Sequence, residues 1–164
     1  MIMKKILLVS DTHGTETLLQ TILKERGPYD RLIFLGDGCG LENRLFNMAG
    51  CPAEVNMVRG NCDWGSSLPE EAVITVGKYR VLITHGNRWR VNCRPEPLSY
   101  HAEEVNVQMC FFGHTHVPCM ENIGGILLVN PGSLTRPRQD GMRPTFYEIE
   151  EDEAGELAFS LVVL

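Results

Sequence analysis

The chain has 164 residues, of which 43% are hydrophobic and 22% charged, and a formal net charge of -6 at pH 7. That length suits a single domain over residues 1–164, since one core usually spans about 100–200 residues. The composition excludes disorder, coiled coil, collagen and a disulfide-stapled miniprotein. An acidic chain without a Lys/Arg run is poorly matched to a nucleic-acid polymer or an anionic membrane surface, and better matched to cations.

Residues 3–10 form a short Ile/Leu/Val-rich run that reads as a buried strand. Residues 15–26 follow as a helix, with Leu18, Leu19, Ile22 and Leu23 at helical spacing and Gly27-Pro28 as its stop. Residues 31–35 are a second strand, 41–48 a short helix and 53–58 a third strand. This β-α-β-α-β order implies parallel strands with right-handed crossovers. The texture then changes. Residues 71–76 and 78–84 read as a hairpin around Gly77, 96–107 as a helix and 108–112 as a buried strand. Residues 118–122 and 125–129 flank the Gly124-Gly125 turn, and 145–150 and 157–164 flank an acidic one. The fold class is α/β passing into α+β, with two packed sheets. The apolar run 161–164 reads as a buried strand that could also serve as an interface edge, so a homo-oligomer is left open.

The six cysteines include no CxxC pair, which excludes a zinc ribbon and a thioredoxin motif. They read as reduced thiols of a cytoplasmic protein. The first residues superficially resemble a signal peptide, but the apolar run at 6–9 is too short and soon meets Asp11. No stretch approaches the ~20 apolar residues of a membrane span.

The chemistry lies at the strand ends. The first strand ends in Ser10-Asp11-Thr12-His13, the second in Gly36-Asp37-Gly38 and the third in Gly60-Asn61-Cys62-Asp63. The hairpin's second strand ends in His85-Gly86, and the next buried strand in Gly113-His114-Thr115-His116. In an open α/β sheet, ligands bind beyond the carboxyl ends of the strands. Asp11 and Asp37, four of the five histidines and Asn61 are thereby offered to one region. In an extended segment the side chains at i and i+2 share one side, so Asp11 with His13, and His114 with His116, can each reach one metal or two neighbouring ones. His101 falls in the expected helix and reads as structural. Ser10 and Ser133 lack a GxSxG context, and the Gly36–Gly40 stretch is no phosphate-binding loop.

DxH, GD, GNCD, a strand-end HG and GHTH, in that order and followed by Asn130-Pro131-Gly132-Ser133, resemble the calcineurin-like metallophosphoesterase superfamily. The shortness of the chain and its GNCD motif resemble the small YfcE-like phosphodiesterase branch. The resemblance implies a four-layer α/β/β/α sandwich of two packed mixed sheets and a centre of two divalent ions. Manganese is favoured, with nickel, iron, cobalt or zinc as alternatives. Carried over by position, Asp11, His13 and His116 would bind one ion and Asn61, His85 and His114 the other, with Asp37 bridging both. The implied reaction is attack by a metal-bridging hydroxide on the phosphorus of a small phosphodiester. The alternatives are a phosphomonoesterase acting on nucleotides or proteins, and a non-catalytic protein-binding scaffold on the same fold. A retired site should have lost ligands, and this chain has all seven.

One departure matters. Cys62 stands where the wider superfamily usually has a histidine thought to protonate the leaving group, and Asp63 follows it. A thiol is a poorer general acid than imidazole, so esters with good leaving groups, such as aryl esters, should react best. Asn61, Arg88 and Arg138 are candidate substrate contacts, with Arg136 as an alternative to Arg138.

Overall fold

The computed structural model describes residues 3–164. Strands β1 (Lys4–Val9), β2 (Arg31–Phe34) and β3 (Glu54–Met57) run parallel, and β9 (Thr145–Glu151) and β10 (Leu157–Val163) join antiparallel, in the order β10-β9-β1-β2-β3. The second sheet holds β4 (Glu71–Val76), β5 (Tyr79–Thr84), β6 (Met109–Phe111), β7 (Cys119–Ile123) and β8 (Ile126–Asn130). Its order is β4-β5-β6-β8-β7, with a parallel centre and antiparallel edges. Both sheets are therefore mixed, as expected, and each has five strands.

The sheets face each other across a core that includes Ile6, Leu8, Ile33 and Leu35 from the first and Val81, Ile83, Phe111 and Val129 from the second. Alternate residues of the same strands point outward. Leu7, Val9, Leu32 and Phe34 meet Leu19, Ile22 and Leu23 of helix α1 (Thr17–Glu25). Leu82, Cys110 and Leu128 meet Leu98 and Ala102 of helix α2 (Glu96–Glu104). Central strands covered on both faces must be apolar throughout, which explains their continuous Ile/Leu/Val runs. The layers are α/β/β/α.

Two local expectations need correction. Residues 41–48 form no α-helix but two 3-10 turns, Leu41–Asn43 and Leu45–Asn47. Leu41 and Leu45 are buried, four residues apart. Between them Arg44 leaves helical dihedrals at φ -120°, and its guanidinium turns to Glu16 and to the Cys39 carbonyl. The last strand, β10, is an edge strand rather than a buried one, with Leu161 and Val163 nearly half exposed. The six cysteines are all free, and no helix among the described residues is long and apolar enough to cross a membrane.

Candidate metal centre

The carboxyl ends of β1, β2, β5 and β6 converge at one edge of the sandwich. Asp11 is fully buried. Its Oδ1 lies 3.1 Å from His116 Nε2, 3.7 Å from His13 Nε2 and 3.9 Å from His85 Nε2. Asp37 Oδ2 lies 3.3 Å from His85 Nε2 and 3.9 Å from His13 Nε2, between the two sides of the cluster. His114 Nδ1 lies 3.3 Å from His85 Nε2. Six of the seven residues expected as ligands thus meet. The seventh, Asn61, is exposed on the turn after β3, with its Nδ2 3.4 Å from Cys62 Sγ.

The backbone there is unusual. Asp11, His13, Asp37, His114 and His116 all have positive φ, between 45° and 69°. Non-glycine residues avoid this region at a cost of order 1 kcal/mol or more each, and such strain concentrates at functional sites. Gly113 permits a close approach between the sheets at the site: a Cβ there would stand 2.2 Å from Ser10 Oγ and 2.8 Å from Asp11 Oδ2.

The donor set fits cations. Asp11 Oδ1 is buried and accepts no hydrogen bond, although three imidazole nitrogens point at it. His13 Nε2 and His116 Nε2 face each other at 3.1 Å. His85 Nδ1 donates to the Leu35 carbonyl and His116 Nδ1 to the Arg136 carbonyl, both at 2.7 Å. A carbonyl only accepts, so each Nδ1 carries the hydrogen and each Nε2 presents a lone pair to the cluster. Asp11, His13 and His116 form one group able to hold an ion, and Asp11, Asp37 and His85 another. A third joins His13 and Asp37 to Cys62, with ligand atoms within 4.8 Å of one another; sequence reasoning had left Cys62 out of any such group.

The electrostatics agree. Burial would raise the Asp11 carboxyl, but the close His116, His13 and His85 imidazoles and the Ser10 hydroxyl overcome it, and the group sits far below the carboxylate range. Asp37 is lowered in the same way, against burial, chiefly by His85. Burial would lower His85, but Asp37 and Asp11 raise it. His114 is lowered by burial and by His85. Burial, followed by Asp37, pushes the Cys62 thiol up to about 11, so it is neutral at pH 7.

The remaining candidates fall elsewhere. Both Asp63 oxygens are engaged by backbone: Oδ2 accepts N–H bonds from Asp37 and Gly60 and Oδ1 one from Cys39, each at 2.7 Å. Its carboxylate shapes the loop rather than facing a substrate. The Arg88 guanidinium is paired with Glu70. Arg138 is exposed and tied to the site by its backbone, whose N–H donates to the His116 carbonyl at 3.1 Å. His101 is structural as expected, stacked on Trp89 with ring centroids 4.1 Å apart and bonded to Glu71. Sequence reasoning missed the brace behind Asp11. Ser10 Oγ donates to Asp11 Oδ2 at 2.6 Å, while Ser133 Oγ and Thr135 Oγ1 donate to its carbonyl at 2.8 and 3.2 Å. The signal was there, since Asn130-Pro131-Gly132-Ser133 also follows a central strand, β8.

Residues 3–153 match the sequence model of the calcineurin-like phosphoesterase superfamily domain, and the chain belongs to that superfamily as a metal-dependent phosphoesterase. Over 134 residues it is 37% identical to the probable metallophosphoesterase YsnB of Bacillus subtilis, covering 81% of this chain and 76% of YsnB. It is 29% identical to the phosphodiesterase YfcE of Escherichia coli K12, covering 92% of this chain and 89% of YfcE. A Streptococcus pneumoniae TIGR4 crystal structure, described as a predicted phosphoesterase, superposes with a TM-score of 0.78 at 27% identity, covering 99% of this chain and 91% of that one.

Proposed function

We propose that the protein is a dinuclear metal-dependent phosphodiesterase acting on small diesters with good leaving groups. The observation that carries this reading is the unpartnered, buried Asp11 Oδ1 at the meeting point of the His13, His85 and His116 Nε2 atoms. Such an arrangement is costly unless a cation occupies it. Asp11, His13 and His116 would hold one ion, His85, His114 and Asn61 the other, and Asp37 would reach both. Bound divalent ions supply a water activated near neutral pH and positive charge for the nonbridging phosphoryl oxygens. Nitrogen and oxygen donors predominate, which suits manganese, with nickel, iron, cobalt or zinc as alternatives.

The protein's own groups do the rest. Asp11 and Asp37 stay ionised and Nδ1–H bonds fix the His85 and His116 rings, so the donor atoms are oriented before a ligand arrives. Arg138 supplies a cation at the rim for the substrate anion. No imidazole occupies position 62, and the Cys62 sulfhydryl is a weak proton donor. An alkoxide therefore departs unprotonated and slowly, whereas a nitrophenolate needs no proton. This favours diesters bearing a stable leaving anion. The free cysteines suit a reducing, cytoplasmic setting.

Hydrolysis of bis(4-nitrophenyl) phosphate and of 4-nitrophenyl phosphate should be compared after chelation and after add-back of Mn, Ni, Zn or Mg. The expected result is activity restored by metal and greater on the diester. Full activity in the stripped protein overturns the metal mechanism, and preference for the monoester overturns the diesterase assignment in favour of a phosphatase. No turnover of either with any metal favours a scaffold.

A further inference from the structure

A cavity lies beside the loop that carries His114 and His116, and none of the proposed metal ligands lines it. It has a volume of about 440 Å³ and is lined by Val91, Pro95, Phe112, Val117, Thr115 and Arg138, among others. It lies between the segment leading into α2 and the loop that carries His114 and His116. Thr115 stands between those two histidines in the chain and also forms part of the cavity wall. The cleft wall is therefore built partly from the loop that carries two of the site histidines, and Arg138 in that wall is bonded through its N–H to the His116 carbonyl.

Its lining is mixed in a particular way. Val91 and Phe112 are buried against the α2 layer, whereas Val117 is 38% exposed. They give one apolar surface backed by packed core and another open to solvent. Arg138 supplies a cation and Glu121 a carboxylate to the lining. The Arg138 side chain makes no ion pair or hydrogen bond with the described residues, while its backbone is anchored to the His116 carbonyl. An unpaired guanidinium beside an apolar cleft complements an anion that carries an apolar or aromatic group. A cavity of this size is ample for one substituted ring.

We infer that this cleft is the subsite for one apolar or aromatic ester arm of the substrate, and that it sets the preference for aryl over small alkyl diesters. The inference rests on the phosphodiesterase reading and specifies its substrate class. Preference for aryl esters then has two separable sources, the ease of the leaving group and the fit of the ring. Phosphonates separate them, because their P–C bond is not hydrolysed and only the fit is read.

The test is competitive inhibition of the metal-loaded protein by methyl-, ethyl-, butyl- and phenylphosphonate, with bis(4-nitrophenyl) phosphate as reporter. Inhibition should strengthen along the series, and phenylphosphonate should bind about tenfold or more tighter than methylphosphonate through the apolar area it buries. Val117→Trp, at a partly exposed wall position, fills the cleft and should collapse the phenyl-to-methyl ratio toward one. A flat series in the parent protein, or an unchanged ratio in Val117→Trp, overturns the subsite and leaves the phosphodiesterase reading intact. A metal-loaded protein inert toward every diester overturns that reading and the subsite with it.

Discussion

Asp63 holds Asp37 by its backbone. One carboxylate oxygen accepts the Asp37 N–H at 2.7 Å and the Gly60 N–H at the same distance, tying the end of β2 to the loop after β3. The other accepts the Cys39 N–H. In return Asp37 Oδ1 accepts the Cys62 N–H at 2.8 Å, which leaves its Oδ2 toward His85 and His13. Asp63→Ala strands three amides, one of them on Asp37, a carboxylate of the site. Stability should fall by about 3 kcal/mol, as for lost hydrogen bonds to a buried charge, and metal affinity about 10-fold or more, as for lost supporting contacts. Urea unfolding and metal titration read both. A loss of stability within experimental error would remove the clamp from the account.

Asp37 is the carboxylate proposed to reach both ions of the centre, with its Oδ2 near both His85 and His13. Asp37→Ala should therefore reduce bound metal from two ions per chain to nearly none, whereas His114→Ala should spare the ion held by Asp11, His13 and His116. Elemental analysis after dialysis distinguishes these outcomes. Retention of two ions by Asp37→Ala would show that it bridges nothing.

On the proposed mechanism, Cys62 would limit the leaving group by what it lacks. Cys62→His restores an imidazole at the position and should raise turnover of alkyl phosphodiesters by about 100-fold or more, the scale of general acid catalysis. Nitrophenyl esters, which leave without a proton, should change far less. Equal rates for the two variants on alkyl esters would dissociate position 62 from proton transfer.

A carboxylate remote from the centre makes stability depend on pH. Glu148 on β9 accepts Arg26 Nε and Nη2, both at 3.1 Å, and the Tyr29 hydroxyl at 2.6 Å, with Lys5 also close. Burial would raise its pKa, but these partners lower it below the ordinary 4.5. A depressed carboxyl contributes stability above its unfolded pKa and loses it as the pH falls through the folded value. Glu148→Gln should therefore cost about 1 kcal/mol at pH 7, and the difference from the parent should shrink below pH 4.5 and vanish once the folded carboxyl protonates. A constant difference from pH 7 to pH 2 would refute the linkage.

The sandwich and six of the converging side chains were legible because both rest on short-range patterns. Continuous apolar runs mark strands covered on both faces, and a polar residue directly after such a run lies at the sheet edge. What could not be read depends on partners distant in the chain. Asp63 is satisfied by amides 24 and 26 residues earlier, at Cys39 and Asp37. Ser133 reaches the Asp11 carbonyl across 122 residues. Leu41 and Leu45 carry a helical spacing, yet Arg44 between them finds better partners by leaving the helix. Arg88 sits beside the site in sequence, but Glu70 claims it.

Asp11, His13 and Asp37 follow strands of one sheet, and His85, His114 and His116 follow strands of the other. A cation gripped by that set would act as a rivet through the sandwich, adding its binding energy to the adhesion between the layers. Any sliding of one layer over the other would be felt first at the rivet, so the spacing of the reactive centre and the cohesion of the whole molecule are a single mechanical property.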